Sequence, residues 1–385
     1  MRRHTIPLAA TALTAFAAVP ALAQVDEVFE TESGAIQVST LADGLVNPWA
    51  IAFLPDGGML VTEKEGALRH ISAEGEMSDA ISGTPEVDAR GQGGLLDVAL
   101  DPDFEENRLV YLSFAEAGDG GNGTAVARGV LSDDMTALDD VEVIFRQEPK
   151  VDSTAHFGSR LVFDGEGHLY VTLGERSAAQ FRGQAQDLDS HLGKIVRINP
   201  DGSVPDDNPF VDQDGALPEI YAYGVRNVQA AALNPETGVL WEIEHGPRGG
   251  DELNIIEPGA NYGWPLVTYG VEYSGDPIGE GERSAEGMVD PVYQWTPVIA
   301  PSGMAFYTGD AFADWQGDLF VGGLASTALV RLDIDGDTVA SEERLLEDLG
   351  LRIRDVAQGP DGALYVATDE ANGEILRIAP ASNED

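Results

Sequence analysis

Apolar and polar positions alternate along short stretches of this chain, and six of these stretches repeat one pattern. Each copy has an apolar run, a turn rich in Pro, Asp, Asn or Gly, and a second apolar run; the copies cover residues 52–61, 99–111, 162–171, 232–241, 305–321 and 357–366. Alternation around such turns predicts β-hairpins. One hairpin cannot bury its apolar face, but hairpins packed around an axis can. The pattern therefore predicts an all-β fold, a six-bladed β-propeller.

The spacing between the copies is uneven, which indicates long loops on a regular scaffold. The longest insertions are residues 176–218 and 259–301. Loops on one face of a propeller usually build the site over the central channel. Nothing resembles an inter-domain linker, so we predict one propeller domain over residues 24–385, in which residues 35–38 pair with the last blade and close the ring.

The N-terminal residues predict export. Arg2 and Arg3 precede an apolar stretch at residues 6–19, and the Ala-Leu-Ala sequence at residues 21–23 is a small-residue cleavage site. This is the pattern of a secretory signal peptide over residues 1–23; the alternative, an uncleaved membrane anchor, is disfavoured because the apolar stretch is short. We expect a periplasmic mature chain without a membrane span.

The composition excludes several classes of function. The formal net charge is −45, from 67 acidic and 22 basic residues, and the chain has no cysteine. Such a surface repels nucleic acid and anionic lipid. An acidic coat suited to a salty medium explains the charge, and a calcium-loaded surface is the alternative. Thiolate metal sites and catalytic cysteines are excluded.

Two glycine-containing motifs are interpreted as turns. Residues 118–123 fit the G-x-G-x-x-G pattern, but a strand-like segment follows where a dinucleotide site needs a helix, so we predict a hairpin loop and no NAD site. Residues 333–337 resemble the start of a calcium loop but lack the glutamate at the twelfth position. They predict a tight turn within a blade.

Three polar segments flank the strands of the third and fourth repeats. His156 precedes a strand and could act as a general base, although a histidine satisfied by backbone groups is the alternative. Glu175 follows the next strand and could orient that imidazole, or be an exposed turn carboxylate. Arg226 and Asn227 lie immediately before the first strand of the fourth repeat.

Arg352 and Arg354 begin the last repeat in the same way. Alternate residues of a strand share one face, so two arginines there call for anions, and their forked guanidinium groups suit carboxylates. Pairing with the abundant Asp and Glu side chains is the alternative. The Gly- and Pro-rich residues 244–252 form an irregular loop with free carbonyl groups, which is typical of a calcium site.

Together these segments make the chain similar to the soluble quinoprotein glucose/aldose sugar dehydrogenases, six-bladed propellers that carry pyrroloquinoline quinone (PQQ) and calcium. The resemblance covers nearly all of the chain after residue 23. It rests on PWAIAFLPDG, GQGGLLDVALDPDF, HFGSRLVFD, LGKIVRINPDGSVPDDNPF, YGVRN, EHGPRGGDELNII, GANYGWP and RIRDV.

The resemblance implies a role for each matching residue. His156 would be the base that takes the proton from the anomeric hydroxyl of an aldose, with Glu175 as its acidic partner. Arg226 would stabilise negative charge at the reactive quinone carbonyl. The implied cofactor contacts are Gln92, Arg226, Asn227, Tyr273, Arg352 and Arg354. The implied calcium ligands are the carbonyls of Gly246 and Pro247, and, for a second calcium, Glu252 and Tyr262.

One position departs from the family pattern. Family members often have a lysine in the fifth blade that contacts the cofactor, and this chain has Ala325 there. The lost cation predicts weaker PQQ binding, or its replacement by backbone contacts.

The resemblance implies an enzyme, a monomer or homodimer, that oxidises an aldose sugar to a lactone and passes electrons to an external acceptor. Two alternatives are a calcium-dependent lactonase and a non-catalytic propeller that binds a ligand. A lactonase needs a cation held by carboxylates at the channel centre. A non-catalytic propeller is favoured if Gln92, His156, Arg226 and Arg354 are dispersed around the ring.

Overall fold

Each of the six sequence repeats is the inner hairpin of one antiparallel sheet. The computed structural model describes residues 24–381 and contains six sheets arranged as the blades of a propeller. The prediction of a six-bladed β-propeller is therefore confirmed. The predicted signal peptide, residues 1–23, lies outside the described residues.

The strands are numbered in chain order. The first five are β1 (Asp26–Thr31), β2 (Gly34–Leu45), β3 (Pro48–Phe53), β4 (Met59–Glu63) and β5 (Ala67–Ile71). The second blade contains β6 (Leu95–Leu100), β7 (Leu109–Gly118), β8 (Gly121–Leu131) and β9 (Leu138–Arg146). The third contains β10 (Leu161–Phe163), β11 (Leu169–Thr172), β12 (Lys194–Ile198) and β13 (Ile220–Tyr223).

The remaining blades follow the same order. The fourth contains β14 (Val228–Leu233), β15 (Leu240–Glu244), β16 (Asp251–Ile255) and β17 (Tyr293–Trp295). The fifth contains β18 (Pro301–Phe306), β19 (Leu319–Gly323), β20 (Ala328–Asp335) and β21 (Thr338–Leu345). The sixth contains β22 (Ile353–Gln358), β23 (Leu364–Thr368) and β24 (Gly373–Pro380). The short helices are α1 (Phe104–Asn107) and α2 (Ala179–Arg182), with 3-10 turns at Gly183–Gln186, Ala313–Trp315 and Glu347–Leu349.

The ring is closed by pairing between the two ends of the chain. Strand β2 runs antiparallel to β24, with Val38 opposite Ile378, and β1 adds an outer strand to the same sheet. The predicted pairing of residues 35–38 with the last blade is confirmed. The closure leaves no gap between the sixth and first blades, because β22 also lies against β3.

The core lies between neighbouring blades. Each inner strand contacts the inner strand of the next blade, and the apolar faces of the two sheets meet there. Trp241 of the fourth blade, for example, packs edge-on against Phe306 of the fifth, with ring centroids 5.5 Å apart. Radial packing therefore buries the face that a lone hairpin would expose.

Bulges at the start of the inner strands turn polar side chains toward the channel. The register shifts there in five blades, between Pro48 and Ala50 in the first, for instance. Trp49, Gln229 and Arg354 are the extra residues of three of these bulges. A bulge re-aims side chains and is common beside functional sites. All three side chains line one cavity of the channel.

The two glycine motifs have the predicted form. Residues 118–123 form the tight turn between β7 and β8, with Gly118 opposite Gly121. Residues 333–337 belong to the hairpin of β20 and β21. Among residues 24–381, no helix has the length and apolar character needed to cross a membrane.

Candidate active site

The candidate residues lie at one face of the ring. Gln92, His156 and Arg226 precede the inner strands of the second, third and fourth blades, whereas Glu175 and His245 follow the second strands of the third and fourth. In an antiparallel hairpin the start of one strand and the end of its partner lie at the same edge. Six hairpins therefore bring these segments together over the channel.

The centre of the site is a buried pair of His156 and Glu175. His156 Nδ1 lies 2.9 Å from Glu175 Oε1, and the carboxylate side chain is 1% exposed. Glu175 Oε2 accepts a hydrogen bond from Ser177 N at 2.5 Å. Since a carboxylate only accepts, Nδ1 carries the proton and Nε2 is left as a proton acceptor.

Burial keeps this imidazole neutral. It lowers the pKa of His156, and the nearby positive charge of Arg226 acts in the same direction, whereas Glu175 opposes both. Arg226 Nε is 3.9 Å from Glu175 Oε1, and the N–H of Glu175 donates to Arg226 O at 2.9 Å. A histidine with a lowered pKa can act as a base at neutral pH.

Two predicted cofactor residues fix the backbone around His156. Gln92 Oε1 accepts from His156 N at 2.7 Å, and Asn227 Oδ1 accepts from Gly158 N at 3.1 Å. His156 itself has a φ of +53°, in the left-handed region that non-glycine residues rarely adopt. Such strain is held by surrounding contacts and is common at functional sites.

Arg176 is a further support of this loop. Its guanidinium donates to Ala155 O at 3.0 Å and to Ser153 O at 2.8 Å, and lies 3.9 Å from the centre of the Phe157 ring. Burial lowers the pKa of Arg176 to about 10. This arginine ties residues 153–157 to the segment that follows β11 and is a positioning residue.

Arg226 connects the pair to the predicted calcium loop. Its Nη1 donates to His245 O at 2.7 Å and to Gly246 O at 2.8 Å. Gly246 N donates to Asp251 Oδ1 at 2.7 Å, which holds the loop against β16. The carbonyl of Gly246 therefore already accepts a hydrogen bond from a positively charged group in this structure.

A cavity of about 290 Å³ adjoins these residues at the channel mouth. The cationic side chains that line it are Lys64, Arg352 and Arg354, and the lining carboxylate is Asp369. Arg352 Nε and Arg354 Nη2 each donate to Asp369 at 2.9 Å, on different oxygens. The two arginines therefore lie together, as predicted, and they pair with an acid. With three cations and one carboxylate, the lining of the cavity keeps an excess of positive charge.

Two buried nitrogen atoms near the cavity have no hydrogen-bond partner among the described residues. They are His245 Nε2, on a side chain that lines the cavity, and Arg226 Nε. Burial lowers the pKa of His245 to about 3, so the imidazole is neutral. Unpartnered buried polar groups are costly, and a bound polar ligand can satisfy them.

A row of buried carboxylates lies beside the predicted calcium loop. Glu242 and Glu244 share one face of β15, and Glu252 lies opposite Glu244 on β16. Burial raises the pKa of all three, and repulsion from neighbouring carboxylates of the row adds to this for Glu242 and Glu252. Tyr262 borders the same narrow pocket as Glu244 and Glu252, but its hydroxyl already donates to Ile255 O at 2.7 Å. Among residues 24–381, no three His, Asp or Glu side chains are arranged as a ready metal-binding group.

Tyr273 does not belong to this site in the structure. Its side chain is 74% exposed and it does not line the cavity that holds Arg352 and Arg354. A turn closed by the bond from Glu272 N to Asp276 O carries it at the surface. Ala325 follows Leu324, which lines the cavity, so the fifth blade offers an apolar side chain there.

A larger open cleft of about 750 Å³ lies elsewhere, beside the turn between β7 and β8. Its two basic side chains, Arg146 and Lys150, both pair with Glu116. Four acidic side chains, Asp119, Glu148, Asp187 and Asp189, also line this cleft, so positive charge is not in excess there as it is in the channel cavity.

The sequence predictions missed several residues that line the cavity, among them Trp49, Lys64, Gln229, His245 and Asp369. Three of these, Lys64, His245 and Asp369, come directly after the second strand of a repeat. The repeat pattern could have identified these three residues, since it predicted the strand that precedes each of them.

The chain is similar to known sugar dehydrogenases over most of its length. The family model for glucose/sorbosone dehydrogenase matches residues 45–377. The chain is 51% identical to an aldose sugar dehydrogenase of Escherichia coli, over 90% of this chain and 93% of the relative. It resembles the crystal structure of the soluble aldose sugar dehydrogenase from Escherichia coli in the apo-form, with a TM-score of 0.87, 50% identity, and coverage of 90% of this chain and 100% of that chain. The PQQ-bound form of aldose sugar dehydrogenase from Streptomyces coelicolor gives a TM-score of 0.73 at 31% identity, covering 92% and 100% of the two chains.

Proposed function

Because the chain belongs to the glucose/sorbosone dehydrogenase family, we propose that it is a PQQ- and calcium-dependent aldose dehydrogenase. The reaction is oxidation of an aldose at the anomeric carbon to the lactone, with two electrons passed to an external acceptor. The observation that carries the proposal is the excess of positive charge in the channel cavity, close to a buried histidine held ready to accept a proton.

The residues of the cavity fit a tricarboxylate such as PQQ. Arg352 and Arg354 offer guanidinium groups that Asp369 neutralises only in part, and charge-assisted hydrogen bonds to carboxylates are among the strongest in proteins. The unpartnered Nε–H of Arg226 would find an acceptor on the same ligand, and the unpartnered Nε2 of His245 a hydrogen-bond partner. Gln92 and Asn227 would hold it as well. When bound, PQQ supplies the oxidant, accepting two electrons from the sugar.

His156 handles the proton in this proposal. Its Nε2 takes the proton of the anomeric hydroxyl, while Glu175 holds Nδ1–H at 2.9 Å and stabilises the imidazolium that forms. Arg226 stabilises negative charge that develops beside it. Burial of the pair excludes water that would compete for the same proton.

We assign the catalytic calcium to the carbonyls of Gly246 and Pro247. Gly246 O is the acceptor of Arg226 Nη1, so a cation that binds this carbonyl would replace that hydrogen bond and release the guanidinium toward the cofactor. Calcium takes oxygen ligands and acts as a Lewis acid.

The second calcium is assigned to the segment of Glu252 and Tyr262. The support is the cluster of Glu242, Glu244 and Glu252: burial raises the pKa of all three, and repulsion from neighbouring carboxylates raises it further for Glu242 and Glu252. A divalent cation would remove that repulsion. Tyr262 would contribute through its backbone, since its hydroxyl is already bonded.

The site argues against the two alternatives. A lactonase needs side-chain carboxylates free at the channel centre, and Asp369, the carboxylate that lines the cavity, is held by two arginines. A non-catalytic propeller would disperse its polar residues, whereas Gln92 is bonded to His156 and shares the cavity with Arg354. We further propose that the protein is exported to the periplasm by residues 1–23.

Reconstitution tests the function. The purified protein, freed of metal with a chelator, is supplied with PQQ, calcium or both, and dye reduction is followed with a panel of aldoses. Activity that needs both additions is the expected result. Absence of PQQ binding by calorimetry, in the presence of calcium, would overturn the proposal.

A further inference from the structure

Lys64 occupies a fixed place at the mouth of the channel. It follows the last residue of β4, and its N–H donates to Asn47 O at 3.1 Å while its carbonyl accepts from Leu95 N at 3.0 Å. Its side chain then crosses Gly94, where an added Cβ would lie 2.8 Å from Lys64 Cγ. The absence of a side chain at Gly94 therefore provides the space for the lysine stem.

The ammonium group of Lys64 has unused hydrogen-bond donors. Its Nζ donates to Ala89 O at 3.1 Å, and within residues 24–381 it forms no ion pair. The two other lysines of the chain differ, because Lys150 pairs with Glu116 and Lys194 donates to three backbone carbonyls. An ammonium group carries three protons. Lys64 thus combines a charge without a carboxylate partner with unused donors, and it lines the channel cavity.

The positive charge of the cavity comes from two adjacent blades. Arg352 and Arg354 belong to the sixth blade and share Asp369, and Lys64 belongs to the first. The fifth blade contributes Leu324 and then Ala325, neither of which carries charge. A ligand with several carboxylates would therefore meet a cation on each of two blades.

We propose that Lys64 is a cofactor-binding residue that donates to a carboxylate of bound PQQ and supplies the cationic contact that Ala325 cannot give. The inference rests on the proposed function. It assigns to the first blade a role in cofactor recognition, since the bulged Trp49 and Lys64 line the same cavity from the start of β3 and the end of β4.

Calorimetric titration with PQQ in calcium-containing buffer tests the inference without requiring turnover. The variants are Lys64→Met, Lys64→Arg and, as a control with the same change in net charge, Lys150→Met. Loss of a charge-assisted hydrogen bond at this half-buried position is expected to raise the Kd of Lys64→Met about tenfold. Lys64→Arg should stay within about threefold of the wild type, and Lys150→Met should bind as the wild type does.

The trimethyl ester of PQQ separates charge recognition from folding. It lacks the carboxylate charges, so the ratio of the Kd values for Lys64→Met and the wild type should fall to about one with the ester. Equal PQQ affinity of Lys64→Met and wild type would overturn the role of Lys64 and leave the proposed function standing. Failure of the wild type to bind PQQ would overturn both. An equal loss for Lys64→Met with PQQ and with its ester would also refute the charge contact.

Discussion

Replacement of Glu175 by glutamine tests whether this carboxylate fixes the proton of His156. Glu175 Oε2 accepts from Ser177 N, and Oε1 faces His156 Nδ1. An amide must turn its oxygen toward Ser177 N–H, because two N–H groups cannot bond each other. Its NH₂ group then faces Nδ1, so Nδ1 becomes the acceptor and the proton moves to Nε2. The imidazole loses its free acceptor with almost no change in shape.

The expected loss of kcat follows from the role of Glu175 in keeping His156 a general base. A positioned general base contributes about 10²–10⁴ in rate, which corresponds to about 2.7–5.4 kcal/mol. Glu175 is almost fully buried, so water has little access to rescue the tautomer. We expect kcat of Glu175→Gln to fall about 10³-fold, and PQQ affinity to remain at the wild-type value because Glu175 does not line the cavity.

The assay is steady-state dye reduction at saturating PQQ and calcium, with PQQ affinity measured by calorimetry. Glu166→Gln, an exposed turn residue of the same blade, is the matched control and should retain full activity. A Glu175→Gln enzyme that keeps its kcat within about tenfold of the wild type would refute the tautomer argument.

The pH profile of the wild-type enzyme is a second test of the pair of His156 and Glu175. Protonation of His156 removes the base, so activity is lost as pH falls through its folded-state pKa. Because burial lowers that pKa, the acid limb of kcat/KM should lie below pH about 6.5, the ordinary value for histidine. An acid limb above that value would contradict the assignment of His156 as the buried base.

Three further predictions follow from the same site. His156→Ala should reduce kcat by at least about 10² while PQQ still binds; retained turnover in the dye assay would refute the base assignment. Arg354→Ala should raise the Kd for PQQ about tenfold in calorimetry, and Arg344→Ala, an arginine on the outer strand β21 paired with Glu342, should not; equal Kd values would remove Arg354 from the cofactor site. Calcium at 100 times its Kd should stabilise the wild type by about 2.7 kcal/mol. Glu242→Gln should raise the melting temperature of the chelated protein and reduce the stabilisation by calcium. An unchanged melting temperature of the chelated variant would contradict repulsion within the carboxylate row.

The fold was predictable because its signals are local. Turn residues such as Pro55-Asp56-Gly57 mark the hairpin of β3 and β4, and the same chemistry recurs in each repeat. Ring closure by β2 was predictable because the last repeat leaves an open sheet edge that a strand from the other end of the chain can cover. The register shifts at the inner strands were not, since a bulge depends on the neighbouring blade as well as on the strand itself.

The site was predictable only in part. His156, Arg226 and Arg354 precede or begin inner strands and stand out in an acidic chain, so the pattern found them. Lys64 and Asp369 were missed although the repeat pattern marks their position after a second strand, because only the folded ring shows that these positions converge on one cavity. Tyr273 was expected near the cofactor through resemblance alone, and the loop that carries it holds it at the surface.

The distribution of charge explains how an acidic protein can select a polyanion. At about 0.15 M salt the Debye length is about 8 Å, so most of the −45 charge acts weakly on a ligand already inside the cavity. Arg352 and Arg354 are held by Asp369 and Lys64 by Ala89, so little side-chain order is lost when an anion binds. In the proposed reaction a neutral sugar would gain nothing from these cations and would need instead the neutral imidazole of the third blade. Cofactor and substrate would thus be recognised by different blades of one face, the cofactor through charge and the sugar through the proton acceptor His156.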